Sequence, residues 1–286
     1  MDNFDGFIGF PKDVKEAIAA GAPKKQNVAF LPVIFIPFAF PYIDVKQPRY
    51  SRNNVRYQLM VSTMNGAPLP YGSLPRLIIA YLATEAVRQK SRVVHLGSSM
   101  SEFLRKLDMK KSGGVNGRTT YLKEQLYSVV GCTIYCQSTV KEEDGVHIKT
   151  LGMTVVDTSD SFWWTGMQTG VFRSEITLSE QFYNIAINSP VPINWETLVK
   201  LKKSPLAMDI YCWATYRVNN MNKMTKINWG NLASQFGYKP KDLRTFKFKF
   251  RNSLEKIKTY YPELRYDAGD LEYFVLYPSR PSIDKK

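Results

Sequence analysis

The sequence predicts an α+β protein of two tandem domains, mainly helical and each ending in a β-hairpin. Three observations predict this fold class. The chain of 286 residues is long for one domain and suits two of roughly 100–150 residues each. Hydrophobic residues make up 44% of it, enough for packed cores. The same order of helices and hairpin, read from capping residues, apolar spacing and turns, occurs twice, which indicates a duplicated unit.

We divide the chain into an N-terminal extension (residues 1–65), a first domain (66–170) and a second domain (171–286). In the extension, Lys12–Ala20 predicts a short helix that precedes a Pro-rich extended segment. The apolar stretch Val28–Phe40 is too short to span a bilayer as a helix, and it contains Pro32 and Pro37. We therefore expect this stretch to be a buried extended segment or a subunit contact.

The first copy of the unit opens with Ser73 and Pro75, a capping residue and a first-turn proline. The helix that they begin runs to about Lys90. A short strand follows over Val93–Leu96. Each of these signals is local, so together they fix the start of the unit at about residue 73.

Two further helices and a hairpin complete the first copy. Ser99 and Glu102 form a capping box ahead of about two and a half turns of helix. The glycine-rich linker 112–117 leads into a helix over about Arg118–Val130. Two strand-like runs then flank the favoured hairpin turn Asp144-Gly145.

The second copy repeats that order. Ser204-Pro205 begins a helix, Asn228 caps a short helix that Gly237 stops, and Lys241 to about Tyr260 forms a longer one. A hairpin that turns near residues 268–270 follows. Corresponding landmarks keep a nearly constant offset: Pro205 lies 130 residues after Pro75, Leu232 lies 128 after Leu104, and Gly269 lies 124 after Gly145.

A helix, a short helix, a tight turn, a second helix and a hairpin follow one another in a winged helix-turn-helix. We therefore predict two tandem winged helix-turn-helix domains. In such a domain the short helix holds the next one outward, so that it can enter a major groove about 12 Å wide. The hairpin, or wing, reaches neighbouring phosphates or the minor groove.

The charge of the chain agrees with a polyanionic partner. Lys and Arg number 39 against 25 Asp and Glu, which gives a net charge of +14 and a pI of about 9.5. Plain solubility is the alternative explanation. We predict double-stranded DNA as the partner because of where the charge lies.

The last long helix concentrates the charge. Between Lys239 and Lys258 stand eight basic and two acidic residues. Apolar residues recur there at three- and four-residue steps and predict one buried stripe: Leu243, Phe246, Phe250, Leu254 and Ile257. Arg244, Lys247 and Arg251 share the side that faces away from this stripe, where arginine can bond a guanine edge and either cation can hold a phosphate. The predicted DNA contacts of the second domain are Lys241, Arg244, Lys247, Lys249 and Arg251. The alternative is a solvated basic face.

The first domain carries less charge at the corresponding helix. The end of a helix that usually meets bases or phosphates is its amino end. The predicted DNA contacts of this domain are Lys110, Lys111, Arg118, Thr119, Thr120 and Lys123. The alternative is a domain that mainly mediates subunit contact.

Catalytic motifs are incomplete in this sequence. The segment 112–119 approximates a phosphate-binding loop but has Ser112 and Arg118 where that motif needs Gly and Lys. His95 and His147 lie 52 residues apart, and each lies alone in a strand-like run, unlike the paired histidines of a nickase metal site. The acidic cluster 142–144 falls at a hairpin tip. We therefore predict a protein that is not an enzyme and needs no cofactor or metal.

The three cysteines indicate a reducing, cytoplasmic environment and are expected to be packing residues (Cys132, Cys136 and Cys212). Two of them lie close together in the chain, but a second pair that would complete a zinc site is missing.

Several strings of residues carry a family resemblance. They are Tyr71–Leu77, Thr84–Arg88, Ser101–Leu107, Ser204–Tyr211 and Pro278–Pro281. Across about residues 68–282 the chain resembles the plasmid-encoded RepA replication initiators. The first sixty-odd residues match this family less clearly.

The resemblance implies a bacterial cytoplasmic protein that binds repeated sites (iterons) at a plasmid origin. It implies that the protein helps to melt adjacent AT-rich DNA and recruits the host replication initiator and helicase, without a membrane partner. It also implies a homodimer that represses its own gene and a monomer that starts replication. The alternative is a transcriptional repressor of the same fold without initiator activity.

Overall fold

We analysed a computed structural model of the chain. It describes residues 27–37, 40–53, 57–63, 67–97, 99–109, 112, 117–142, 145–157 and 174–283. The predicted helix Lys12–Ala20 lies outside these ranges. The described residues form eight α-helices and eleven strands, and the strands belong to four small antiparallel sheets.

The N-terminal extension contributes strands to the rest of the fold. Strand β1 (Val28–Pro32) is buried throughout and pairs with β8 (Pro190–Asn194). This confirms that the apolar stretch predicted from Val28 is a buried extended segment over these residues. Strands β2 (Arg49–Asn53) and β3 (Tyr57–Thr63) join the hairpin of β5 (Cys132–Glu142) and β6 (Gly145–Thr154) in the order β2-β3-β5-β6.

The helices of the first unit follow the predicted order. They are α1 (Ser73–Gln89), α2 (Met100–Lys106) and α3 (Arg118–Val130). The Ser99 hydroxyl caps α2 by accepting a hydrogen bond from the Glu102 N–H, as predicted. The predicted cap at Ser73 is wrong, because α1 begins there and its N-cap is Gly72, with a left-handed φ of 75° and no capping side chain.

The hairpin of the first unit is displaced by one residue from the prediction. Glu142 pairs with Gly145, so Gly145 belongs to the second strand of the hairpin and not to its turn. Strand β4 (Val93–Gly97) pairs with β7 (Ser174–Thr177) instead of joining this hairpin.

Two short helices that we had not predicted, α4 (Glu180–Asn188) and α5 (Trp195–Lys200), precede the second unit. The pairings of β1 with β8 and of β4 with β7 cross the predicted boundaries at residues 65 and 170, and that division of the chain stays a prediction.

The second unit has the predicted helices and one additional strand. Its elements are α6 (Pro205–Asn219), β9 (Thr225–Asn228), α7 (Trp229–Gln235), α8 (Leu243–Tyr260), β10 (Tyr266–Asp267) and β11 (Tyr273–Leu276). The side chains of Ser204 and Asn228 cap α6 and α7, as predicted. Strand β9 was missed, and it pairs with β11 in a sheet of order β10-β11-β9.

Aromatic rings fill the core of the second unit. Trp229 lies 5.6 Å from Phe250 and 5.7 Å from Phe274 between ring centroids, and Phe236 lies 6.1 Å from Phe246. These rings come from α7, the turn after it, α8 and β11. Their packing fixes the angle between α7 and α8 and holds the β10–β11 hairpin against both helices.

A buried ion pair connects the two units. The Arg76 guanidinium on α1 bonds both carboxylate oxygens of Asp209 on α6, at 2.6 Å and 2.8 Å, and both side chains are less than a tenth exposed. It also donates to the carbonyl oxygens of Phe40 and Gly72. One side chain therefore holds α1, α6 and the extension together.

Candidate nucleic-acid interface

Helix α8 has a buried apolar side and an exposed basic side. Phe246, Phe250, Leu254 and Ile257 are at most 1% exposed, and they pack against α6, α7 and β11. Leu243, also assigned to the predicted stripe, is only partly buried. The remaining sides of the helix are free to carry charge because the stripe alone satisfies its packing.

The predicted basic residues of α8 fall into two groups. Lys241, Arg244 and Lys249 are exposed, and the Lys249 ammonium lies 5.8 Å from the Tyr238 ring. Lys241 lies in the 3-10 turn just before α8, and Arg244 and Lys249 lie in the amino-terminal half of the helix, which is the half that meets bases or phosphates in a helix-turn-helix.

Lys247 and Arg251 form the second group, which contacts the β10–β11 hairpin (residues 266–276), the predicted wing. The Lys247 ammonium donates to the Leu271 carbonyl oxygen at 2.5 Å, and the Arg251 Nε donates to that of Ala268 at 2.7 Å. Both cations also lie within 5.6 Å of the Trp229 ring centroid. They therefore attach the turn of the wing to the helix while they add positive charge at the junction.

The turn of the wing is ordered by its own hydrogen bonds. The Asp270 carboxylate accepts from the N–H groups of Glu272 and Tyr273, at 2.7 Å and 2.8 Å, and these bonds lower the pKa of Asp270 below its usual value. The Trp229 indole N–H donates to the Asp270 carbonyl oxygen. Tyr273 and Leu271, which is 83% exposed, face solvent at this turn.

The outward face of α8 contains residues that we had not singled out. Phe248 is 65% exposed, and Thr245 and Asn252 are also exposed. The helical period already separates Phe248 from the stripe, because it lies two residues from both Phe246 and Phe250 and so on the opposite side. An apolar residue on the basic side was the signal that could have identified this position.

The N-terminal extension supports the turn between α7 and α8. Gly237 in that turn has a left-handed φ of 77°, and a Cβ there would lie 2.8 Å from Arg52 Nε and 3.1 Å from the Tyr50 hydroxyl. Arg52 is 4% exposed and lies 4.7 Å from the Tyr42 ring centroid, and Tyr42 packs against Tyr238. The role of this segment could not be read from the sequence because the contacts are distant in the chain.

The candidate helix of the first unit is less basic. Arg118 is exposed at the start of α3, and Thr119, Thr120 and Lys123 are half-buried. The Thr119 hydroxyl donates to the Ser112 carbonyl oxygen at 3.2 Å, and this bond ties the start of α3 to the linker. The other two predicted contacts, Lys110 and Lys111, lie outside the described residues.

The residues weighed for other chemistry lie apart from these helices. His95 on β4 is paired with its cross-strand neighbour Glu175 at 2.9 Å and is exposed. The three cysteines are buried and unbridged, and burial raises the pKa of the Cys132 and Cys136 thiols to about 12. This confirms their assignment as packing residues. The side chain of His147 lies outside the described set.

Within the described ranges, no group of three or more histidine, cysteine or carboxylate side chains is placed to hold a metal ion. Among the same residues, none of the helices has the length and apolar character needed to cross a membrane.

Comparison with solved structures gives a likeness in fold. A structure of domains 2 and 3 of RctB superposes with a TM-score of 0.54 at 10% identity, and the alignment covers 88% of this chain and 99% of that one. A second structure of RctB domains 2-3 has a TM-score of 0.47 at 10% identity, with 78% and 82% covered. The first match agrees with the mixed α+β architecture. A search of curated proteins gives no significant match.

The sequence also matches a family model described as plasmid-encoded RepA protein over residues 69–230, more than half of its length. That span runs from the start of α1 to the start of α7, and it includes both ends of the buried Arg76–Asp209 pair. This chain belongs to the plasmid-encoded RepA family of replication proteins.

Proposed function

We propose that this RepA protein is a sequence-specific, non-catalytic DNA-binding initiator of plasmid replication, and that each of its two units is a winged helix-turn-helix. The observation that carries the proposal is helix α8. It buries one apolar stripe and turns Arg244 and Lys249 outward, next to a wing attached by Lys247 and Arg251, and Lys241 is exposed in the turn just before it.

The geometry of the second unit suits a duplex. Its element order, α6, β9, α7, α8 and a β10–β11 hairpin, places the basic side of α8 and the wing on adjoining surfaces. Counterion release from phosphates would supply most of the affinity, and the amino-terminal half of α8 would read bases. The Lys247 ammonium has three hydrogens, so it can hold Leu271 and still donate to a phosphate.

The first unit repeats the order in α1, β4, α2, α3 and the β5–β6 hairpin. Its α3 carries Arg118 and Lys123 but also the exposed Glu124. We infer that the first unit contributes positioning contacts on a neighbouring face of the same origin repeat. The second unit would then contribute most of the affinity. The buried Arg76–Asp209 pair would keep the two units in a constant relation on the DNA.

The first experiment maps binding. A footprint of the purified protein on DNA flanking its own gene is expected to show protection at repeated sites, and Arg244→Ala is expected to weaken it. Lys200→Ala, an exposed lysine of α5, is the matched control and should leave protection unchanged. Absence of any protected site would contradict DNA binding.

The second experiment separates an initiator from a repressor. A plasmid that carries only the protected repeats and adjacent AT-rich DNA should replicate in bacteria when the protein is supplied in trans. Failure to replicate with repeat binding intact would identify a repressor instead. Nicking or nucleotide hydrolysis by the purified protein would contradict a non-catalytic role.

A further inference from the structure

Phe248 is the exposed apolar residue at the centre of the basic side of α8. Two-thirds of its surface faces solvent, whereas Phe246 and Phe250, its neighbours two residues away, are fully buried. A phenylalanine that is left in water on a stable helix contributes nothing to the core. Its environment is cationic, because Lys247 and Lys249 flank it in the chain.

Arg244 and Asn252 lie one helical turn before and one turn after Phe248, and both are exposed. At 1.5 Å per residue these side chains emerge about 6 Å apart along the helix, or less than two base-pair steps of about 3.4 Å. One line of side chains could therefore meet successive base pairs.

Each member of this line has a favoured partner in the major groove. Arginine donates two hydrogen bonds to guanine O6 and N7, asparagine bonds adenine N6 and N7, and phenylalanine packs against the C5-methyl group of thymine. The thymine methyl is the apolar group that a duplex presents in this groove.

Resting on the DNA-binding function proposed above, we propose that Phe248 is a specificity-determining residue of this protein that recognises a thymine methyl group in the major groove. Arg244 would recognise a guanine on one side of that thymine, and Asn252 an adenine on the other, each within about two base pairs.

A duplex fits this surface better than a protein partner does. The side chains around Phe248 are cationic or polar on every side: Arg244, Thr245, Lys247, Lys249 and Asn252. A protein–protein interface core is depleted of such charge, whereas a duplex neutralises it. A second copy of this chain would bring like charges together.

The test replaces thymine by deoxyuridine, which lacks only the C5-methyl group, one position at a time through the protected repeat. Binding of wild-type protein is measured by fluorescence anisotropy. We expect one position at which deoxyuridine weakens binding about fourfold, the value for loss of one buried methyl contact. With Phe248→Ala, which should bind about tenfold more weakly because a buried phenylalanine contact is lost, that position should no longer distinguish thymine from deoxyuridine.

Two variants are matched controls. Phe248→Leu keeps an apolar contact and should retain part of the thymine preference. Ile43→Ala removes a similarly exposed apolar side chain from the extension and should change nothing.

The outcomes separate this inference from the proposed function. If wild-type protein binds no duplex, the proposed function fails. If it binds the repeat but Phe248→Ala keeps the full deoxyuridine effect, or if Phe248→Ala binds normally, thymine recognition by Phe248 is wrong and DNA binding stands. A loss of self-association in Phe248→Ala with unchanged DNA binding would assign the residue to a protein interface.

Discussion

At the scale of single residues, the Arg76 guanidinium on α1 connects that helix to α6 and to the N-terminal extension. Its partners are the Asp209 carboxylate and the carbonyl oxygens of Phe40 and Gly72. A guanidinium taken out of water needs such a set, because desolvation of an unpaired charge is costly. The pair lies 133 residues apart in the chain, so neither partner identifies the other from sequence.

Asp209→Asn should lower the free energy of unfolding by about 3–5 kcal/mol, because it leaves the buried Arg76 charge without its counterion. Urea denaturation of the full chain measures it. Asp157→Asn is the matched control, since the Arg92–Asp157 pair is 36% and 45% exposed, and it should cost less than about 1 kcal/mol. Equal effects of the two substitutions would contradict the structural role of the buried pair.

The residues of the candidate interface were predictable to different degrees. The helical period separates the basic side of α8 from its apolar stripe, and it assigns Arg244, Lys247 and Arg251 to the outward side. Arg244 is exposed as that period requires, whereas Lys247 and Arg251 are half-buried. The attachment of Lys247 and Arg251 to the wing was not predictable, because the carbonyl acceptors at Leu271 and Ala268 depend on where the hairpin packs.

At the scale of elements, the arrangement of α7, its turn and α8 depends on Gly237 and on the extension behind it. Gly237 ends α7 with a left-handed φ, a conformation in which side chains with a Cβ are strained. Arg52 and Tyr50 of β2 fill the space into which a Cβ would point. Two features therefore set the angle between α7 and α8: the backbone conformation of Gly237 and the contact of Arg52 and Tyr50 with the turn.

Gly237→Ala should destabilise the protein by about 1–3 kcal/mol and weaken repeat binding, because the strained turn and the displaced Arg52 both disturb α8. Thermal unfolding and anisotropy on the same samples measure the two effects. Gly269→Ala, in the turn of the wing, has an ordinary φ and meets only the flexible Asp267 carboxylate, at 3.3 Å. It should affect stability little, and a larger loss from it than from Gly237→Ala would contradict this account.

Local signals predicted the helices well, and distant pairings were missed. Caps at Ser99, Ser204 and Asn228 act within four residues of themselves, so the sequence around them is sufficient. The pairing of β1 with β8 joins segments more than 150 residues apart. Other segments of the chain are similarly apolar, so composition alone does not identify the partner of either strand. Strand β9 has only four residues, and it alternates between half-buried and exposed positions without a fully buried residue to separate it from a loop.

At the scale of the whole molecule, the extension, the first unit and the second unit share one core. Strand β1 lies beside β8, β2 contacts the turn after α7, and Arg76 connects α1 to α6. Such a body would present its two candidate DNA-binding helices at a constant separation. We infer that the net charge of +14 favours DNA binding where these two helices present it to the duplex, and not only by a general attraction between DNA and the protein surface.

The central claim is that the basic side of α8 and of the turn before it lies against a duplex, with Lys241 and Lys249 at phosphates. The salt dependence of repeat binding tests it most directly, because each neutralised phosphate contact contributes about 0.9 to the slope of log K against log salt concentration. We expect the triple variant Lys241→Ala, Arg244→Ala, Lys249→Ala to lower that slope by about two units, one for each lysine at a phosphate, because Arg244 is assigned to a base. The control variant Lys90→Ala, Lys200→Ala, Lys203→Ala removes the same charge from exposed positions elsewhere and should keep the wild-type slope. A triple variant of α8 that keeps the wild-type slope and footprint would contradict the account.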